Sequence, residues 1–479
     1  MRKLTLLIWS FFLAGCAIGP DYSRPDLSTP AAFRMAESTH EAASFANLPW
    51  WDLLQDEELQ RLIRIALDEN KDLRRAVASV EEFQSRLFIA KMDFAPKADI
   101  TANAPSFGRK SSFLVPGFPN QFNYYLQGNL SWELDIWGRI RRSNEAARGD
   151  LLAREEARRA TILQLVSGVA ESYFDLLQFD TQMDVAKRTL KSWEDSVKIA
   201  QARMRQGVIT KIDSDQFVAE RANAEARVAE LERQQVQKEN QLSVLLGRNP
   251  GRIARGRSLT EQVMPPDVPP GLPSELLQRR PDVVQAEQVL AAATARIGMA
   301  KADRFPRLSI TGILGVASPH LSRLVADETA FGVAGPSVAG PLLNAQILGF
   351  QQDAAEAQAQ EQLAQYEQTI LVAFREVEDA LVAVKTAREQ RAAQAEQVEA
   401  LRSAFHLASL RYKGGLANYL DVLLAQRNLF DAELALASTH RLQLVSVVQL
   451  YKALGGGWHA YGTASNPSSP TQVQSLGTS

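Results

Sequence analysis

Cysteine is all but missing from this chain of 479 residues, and the single one, Cys16, excludes an internal disulfide or a cysteine metal cluster. Histidine is scarce as well. His40, His320, His406, His440 and His459 stand far apart with no pair at ligand spacing, so no metal site is expected. Neither sign of charge dominates: 53 Lys and Arg against 55 Asp and Glu leave a net charge of −2, which argues against a nucleic-acid-coating protein. No apolar run reaches the ~20 residues of a membrane-spanning helix. No Walker-type glycine-rich loop and no nucleophile motif occurs, so neither an enzyme nor a cofactor is expected. With 46% apolar and 23% charged residues, the chain is neither disordered nor a helical membrane bundle.

Arg2 and Lys3 precede an apolar run, Leu4–Ala14, that has the length of a signal-peptide core. It ends in Leu13-Ala14-Gly15-Cys16, which resembles a bacterial lipobox. Residues 1–15 would then be removed, and residues 16–55 would form an N-terminal segment acylated at Cys16. Several acyl chains on one residue hold a protein to a membrane durably, whereas one is marginal. Ala17, rather than Asp, follows the cysteine, as in lipoproteins of the outer membrane.

The chain repeats itself. At an offset of 210, Asp72, Arg86, Lys91, Asp93, Pro96 and Thr101 fall on Asp282, Arg296, Lys301, Asp303, Pro306 and Thr311. At 208, Arg203, Gly207, Asp213, Leu246 and Gly247 fall on Arg411, Gly415, Asp421, Leu454 and Gly455. The two copies are placed at residues 56–247 and 274–458, with a Pro/Arg/Gly-rich link at 248–273 and a Gly/Ser/Pro-rich disordered tail at 459–479.

Within each copy the punctuation is sparse. Gln351–Lys413 and Leu416–Leu454 contain neither glycine nor proline, and Ser143–Gln206 holds only Gly149 and Gly168. A 63-residue helix would be ~95 Å long, too long for a compact globule, so a coiled coil is expected. Leu363, Ile370, Val377 and Val384 form one seven-residue row, and Phe374 and Leu381 a second. Phe405 and His406 are expected in the same seam, and Glu376–Asp379 on a packing face of the helix. Gly207 and Gly414-Gly415 stand where each long helix must reverse, near 207 and 414. Each copy therefore reads as a long antiparallel helical hairpin.

Strands are expected at the other ends of the helices. From Phe122 to Leu134 apolar and polar residues alternate, which makes a strand with one wet and one dry face. Weaker alternations lie near 98–106, 308–316 and 331–339. Such lengths suit a tilted membrane strand of ~9–11 residues. A closed barrel needs at least about eight strands and one chain supplies four, so copies must pool them; three give about twelve.

The signatures that carry a resemblance run in order along the chain. They read Gly19-Pro20-Asp21-Tyr22 with Arg24-Pro25, then Trp50-Trp51 with Asp56, Leu59, Leu62, Ile63, Ala66, Asn70 and Leu73. Next come Leu272-Pro273-Ser274, Arg279-Arg280-Pro281-Asp282, Ala286-Glu287, Phe305-Pro306, Glu376 to Leu381, Arg411-Tyr412, Ala425-Gln426-Arg427 and Tyr451 to Gly456. Together they resemble the TolC-like outer-membrane efflux proteins, and among them the lipidated OprM-like (NodT) branch.

The resemblance implies an α+β membrane protein: a homotrimer with a twelve-stranded barrel and a helical periplasmic tunnel, anchored in outer-membrane lipid. It further implies a periplasmic adaptor and an inner-membrane, proton-driven transporter as partners, and small solutes such as drugs and toxins as cargo. An outlet for protein secretion, or a non-conducting lipoprotein bridging the envelope, are the other readings. By the same resemblance Tyr412 would latch to Asp213, and three Asp421 side chains would form a cation-attracting ring. The family's second acid is replaced by Leu424, so with Leu420 the ring would be half apolar; a tip arginine of the family is Ala417 here. The adaptor would dock at the tips, around Gly207, Gly414 and Gly415 with Arg203, Arg205, Arg411 and Lys413.

Overall fold

The computed structural model describes residues 17–27, 30, 32–34, 53–104, 124–264, 273–318, 320–326, 329–341, 345–416 and 418–456. Cys16, Ala417 and the tail beyond residue 456 lie outside them. The first half holds α1 (Glu57–Glu69), α2 (Lys71–Met92), β1 (Lys97–Asn103), β2 (Tyr124–Leu134), α3 (Arg139–Arg205) and α4 (Lys211–Leu245). The second repeats the order with α5 (Pro273–Arg279), α6 (Pro281–Ala302), β3 (Arg307–Ser318), β4 (Ala330–Ala339), α7 (Ala345–Lys413) and α8 (Tyr419–Ala453). The duplication is thus structural: helices of 67 and 35 residues in one half answer helices of 69 and 35 in the other. Among the described residues no helix is long and apolar enough to cross a membrane.

The chain divides into two compact units, to which both halves contribute. One unit gathers Met1–Leu27, Ala78–Glu155 and Gln285–Gln368, and contains the four strands. They form one antiparallel sheet in the order β1-β2-β3-β4. Register decides its faces, because directly paired residues share a side. Asp99 pairs with Asn129, Thr101 with Gln127 and Asn103 with Tyr125, giving a polar face. Ile100, Gly128, Leu314 and Gly332 form a row on the other face, as do Ala98, Leu130, Gly312 and Ala334. This second face is apolar and bare: Ile100 is 80% exposed and Leu314 74%.

Strand passes into helix through Asp135, whose carboxylate accepts from the backbone N–H of Ile140 (2.8 Å) and Arg141 (3.0 Å) and so caps α3. Gly149 on α3 has the Ala292 methyl 3.0 Å from where its own Cβ would stand, so the absence of a side chain there eases the close approach to α6. The N-terminal segment is strapped to the same unit. Glu287 accepts from Arg24 Nε (3.0 Å) and the Tyr22 hydroxyl (3.2 Å), and Arg142 Nη2 donates to Asp21 (2.7 Å).

The other unit gathers Ser28–Val77, Glu156–Val284 and Thr369–Ser479. Leu59, Leu62, Ile63 and Ala66 of α1 are fully buried. Beside them lies Asp56, only 2% exposed, which caps α1 through the N–H groups of Glu58 (2.9 Å) and Leu59 (3.1 Å). Its second oxygen accepts from the Tyr173 hydroxyl (3.1 Å), the Arg257 N–H (3.1 Å) and Gln262 Nε2 (2.8 Å). One carboxylate therefore ties α1, α3 and the segment between the two halves. Arg280, also buried, pairs with Asp282 (2.6 Å) and Glu376 (2.7 Å) and donates to the Ala453 carbonyl (3.2 Å).

The seam on α7 differs in detail from the heptad expected. Ile370 and Val377 are buried, but the second row is Tyr366, Ala373, Ala380 and Ala387. Phe374 and Leu381 are only half-buried, and His406 is exposed instead of packed. Alanine lets neighbouring helices approach closely, which pushes the larger side chains to the flanks of the seam.

Candidate functional site

The two helical turns are built alike. Gly207 (φ 73°) and Gly415 (φ 72°) take the left-handed conformation. The N–H of Val208 bonds the Arg203 carbonyl (2.9 Å), and that of Leu416 the Arg411 carbonyl (2.8 Å). This six-to-one bond closes a Schellman cap, with the glycine at the position where a Cβ is penalised. Nothing lies within 4 Å of a Cβ built on either glycine. The glycines that end α4 and α8 are different: a Cβ on Gly247 would meet the Glu69 carbonyl oxygen at 2.3 Å and one on Gly455 that of Arg279 at 2.9 Å. Within one chain, therefore, backbone conformation and not a close neighbour is what calls for glycine at these two positions. Replacing either by valine is expected to destabilise its turn by about 1–2 kcal/mol, the penalty for an L-residue in that conformation. Hydrogen exchange at the amides of 204–208 or 412–416 should quicken while the global melting transition stays in place.

An aromatic cluster joins α3, α4, α7 and α8 behind the turns. Phe217 (α4) stacks on Tyr419 (α8) with centroids 3.6 Å apart, Trp193 (α3) meets Phe217 edge-on at 6.5 Å, and Tyr412 (α7) meets Tyr419 at 5.6 Å. The Arg203 guanidinium sits 4.7 Å above the Tyr412 ring. Burial and the nearby Tyr412 push the Tyr419 hydroxyl well above the usual tyrosine range. Further along, Glu433 of α8 receives Arg188 of α3 (2.7 Å) and Arg402 of α7 (2.9 Å).

Within one chain the structure does not bring Tyr412 and Asp213 into the expected latch. Asp213 is the third residue of α4 and completes a capping box with Thr210, whose N–H (2.9 Å) and hydroxyl (2.8 Å) it accepts. Those bonds hold its carboxyl below the usual range. The Tyr412 ring is turned into the aromatic cluster, and its buried hydroxyl has no partner among the described residues. Asp421 holds the same helical position in α8, but Asn418 gives that helix no side-chain cap. Asp421 is exposed and makes no ion pair among the described residues, and it is flanked on one face by exposed Leu420 and Leu424. Arg205, Arg411, Lys413 and Gly414 are exposed around the turns. Trp193, Phe217 and Tyr419 escaped the sequence reading because they do not coincide under the repeat offset.

The outer membrane efflux protein family model matches residues 62–248 and 272–456, one segment in each half. The chain belongs to the outer membrane efflux protein family. It is 35% identical over 466 residues to the toluene efflux pump outer membrane protein TtgC of Pseudomonas putida, covering 95% of this chain and 96% of that protein. It is 32% identical over 463 residues to the probable outer membrane lipoprotein SilC of Salmonella typhimurium, covering 96% and 100%. Among solved structures it resembles the open state of the Neisseria gonorrhoeae MtrE outer membrane channel, with a TM-score of 0.82 and 32% identity over 92% of this chain and 98% of that one. Several family signatures now have physical reasons: Asp56, Arg280, Glu376 and Glu287 are tie points, and Leu59 to Ala66 are core.

Proposed function

We propose that three copies of this chain close a twelve-stranded barrel in the outer membrane and continue as a helical duct through which small solutes leave the cell. The observation that carries the assembly is the sheet: four strands with an exposed apolar face, a polar face, and outer strands β1 and β4 that are each paired on one side only among the described residues. Such a sheet is stable in lipid only when its edges close. Acylation of Cys16 adds the lipid anchor, in keeping with the lipoprotein name of SilC. A periplasmic adaptor docks on the exposed turns at Gly207, Gly414 and Gly415, with Arg203, Arg205, Arg411 and Lys413 around them. A proton-driven inner-membrane transporter supplies the energy, so the chain itself is not an enzyme. The name of TtgC supports small organic molecules as the cargo. Purified acylated protein should behave as a trimer and conduct in planar bilayers; a monomer that does not conduct would overturn the proposal.

At the constriction, three Asp421 side chains form the charged ring and Leu420 and Leu424 its apolar rim. Tyr412 and Asp213 act there too, Tyr412 by holding the aromatic cluster behind Asp421 and Asp213 by capping α4. A unit charge at about 4 Å in water is worth about 1 kcal/mol, or about fivefold in a permeability ratio. Asp421→Ala should lower cation-over-anion permeability by about that factor, read from reversal potentials in a salt gradient. An unchanged ratio would take Asp421 out of the ring.

A further inference from the structure

The strands carry few charges, and almost all are neutralised locally. Lys97 pairs with Asp93 (2.8 Å), Glu133 with Arg139 (2.9 Å) and Arg307 with Asp303 (2.7 Å), each at a strand's helical end. Asp99 is the exception. It lies further along β1 and, among the described residues, has no cationic partner. Its contacts are neutral: Asn129 Nδ2 donates at 2.7 Å and the Thr101 hydroxyl at 3.4 Å. Asn129 is steadied in turn by Gln127 Nε2 (2.9 Å) and Thr101 (3.1 Å). The network fixes the carboxylate on the polar face without cancelling its charge.

We propose that Asp99 is a specificity-determining residue, a charge filter in the barrel wall that favours cationic solutes with an apolar body; this rests on the trimeric duct proposed above. The rest of the same face supplies the apolar part. The row that holds Asp99 and Asn129 continues through Ile313 to Val333, and the next row, Thr101 and Gln127, continues through Gly315 to Phe331. Val333 is 67% exposed and Phe331 38%. Each copy thus presents an acid-and-amide sector beside an aliphatic and aromatic one. Three Asp99 side chains around a closed barrel form a ring of like charge, a known device for cation selection.

Range supports the filter. Twelve strands spaced about 4.8 Å apart and tilted about 40° enclose a backbone diameter of about 24 Å. Charges on that wall lie within about 12 Å of the axis, comparable to the screening length of about 10 Å at 0.1 M salt. At 1 M the length falls to about 3 Å and the ring loses its reach.

The test is block of single-trimer conductance by tetraphenylphosphonium added from the extracellular side at 0.1 M salt. Asp99→Asn keeps an oxygen acceptor for Asn129 and should raise the half-blocking concentration by about twofold, the combined effect of three unit charges about 12 Å away in water, screened at 0.1 M. Gln127→Glu adds a carboxylate to the same face and should lower it by a similar factor. Raising salt to 1 M should abolish both differences. Block unchanged in both conducting variants would overturn the filter and leave the duct standing. A wild-type trimer that conducts nothing would remove the duct reading, and the filter with it.

Discussion

Leu130→Lys should abolish insertion of the assembled sheet, whereas Asn129→Lys, one residue away, should be tolerated. Leu130 lies mid-strand on the apolar face, in the row of Ala98, Gly312 and Ala334, while Asn129 lies on the polar face beside Asp99. A lysine facing lipid at the bilayer midplane costs about 2–4 kcal/mol. Three copies multiply this to about 6–12 kcal/mol per barrel, comparable to the whole stability of an ordinary domain. At position 129 the ammonium would face water and meet the Asp99 carboxylate. Membrane fractionation and the yield of trimer read the difference. Equal tolerance at the two positions would mean that the apolar face does not meet lipid.

Asp56→Ala should cost about 3–7 kcal/mol: about 1 kcal/mol for the lost helix cap, and about 1–3 kcal/mol for each buried donor left unpaired. The donors are the Tyr173 hydroxyl and the Arg257 N–H. The melting transition in detergent should fall accordingly. Asp56→Asn separates charge from shape. Burial by itself raises the Asp56 pKa, but the hydrogen bonds from Gln262, Leu59, Arg257 and Tyr173 together outweigh it and hold the carboxyl below its ordinary 3.8. A carboxyl lowered on folding contributes stability above its unfolded pKa, and the contribution is lost as pH falls through the folded value. Wild type should therefore exceed Asp56→Asn in stability at pH 7, with the gap closing below about pH 4. A gap independent of pH would mean that shape alone matters.

Much of this architecture was legible because long periodic signals average over many residues. The glycine-free stretches, the Phe122–Leu134 alternation and the repeat offset each drew on a dozen positions or more. What stayed hidden turns on single contacts. Asp213 and Asp421 align under the repeat, yet Thr210 closes a capping box on the first while Asn418 leaves the second bare. Ala373, Ala380 and Ala387 give too weak an apolar signal to compete with Phe374 and Leu381, although close packing favours the smaller residues. Asp99 resembles any polar residue of an alternating strand until the ion pairs around it are assigned.

The two outer strands of the sheet have a consequence for the life of a newly made chain. Until it meets its sisters, each subunit carries two open seams of hydrogen-bonding backbone beside bare Ile100 and Leu314. Seams of this kind template the wrong neighbours as readily as the right ones. The periplasmic crossing is therefore the hazardous stage of its biogenesis, and escort by a chaperone that shields strand margins should govern how much functional duct a cell can make.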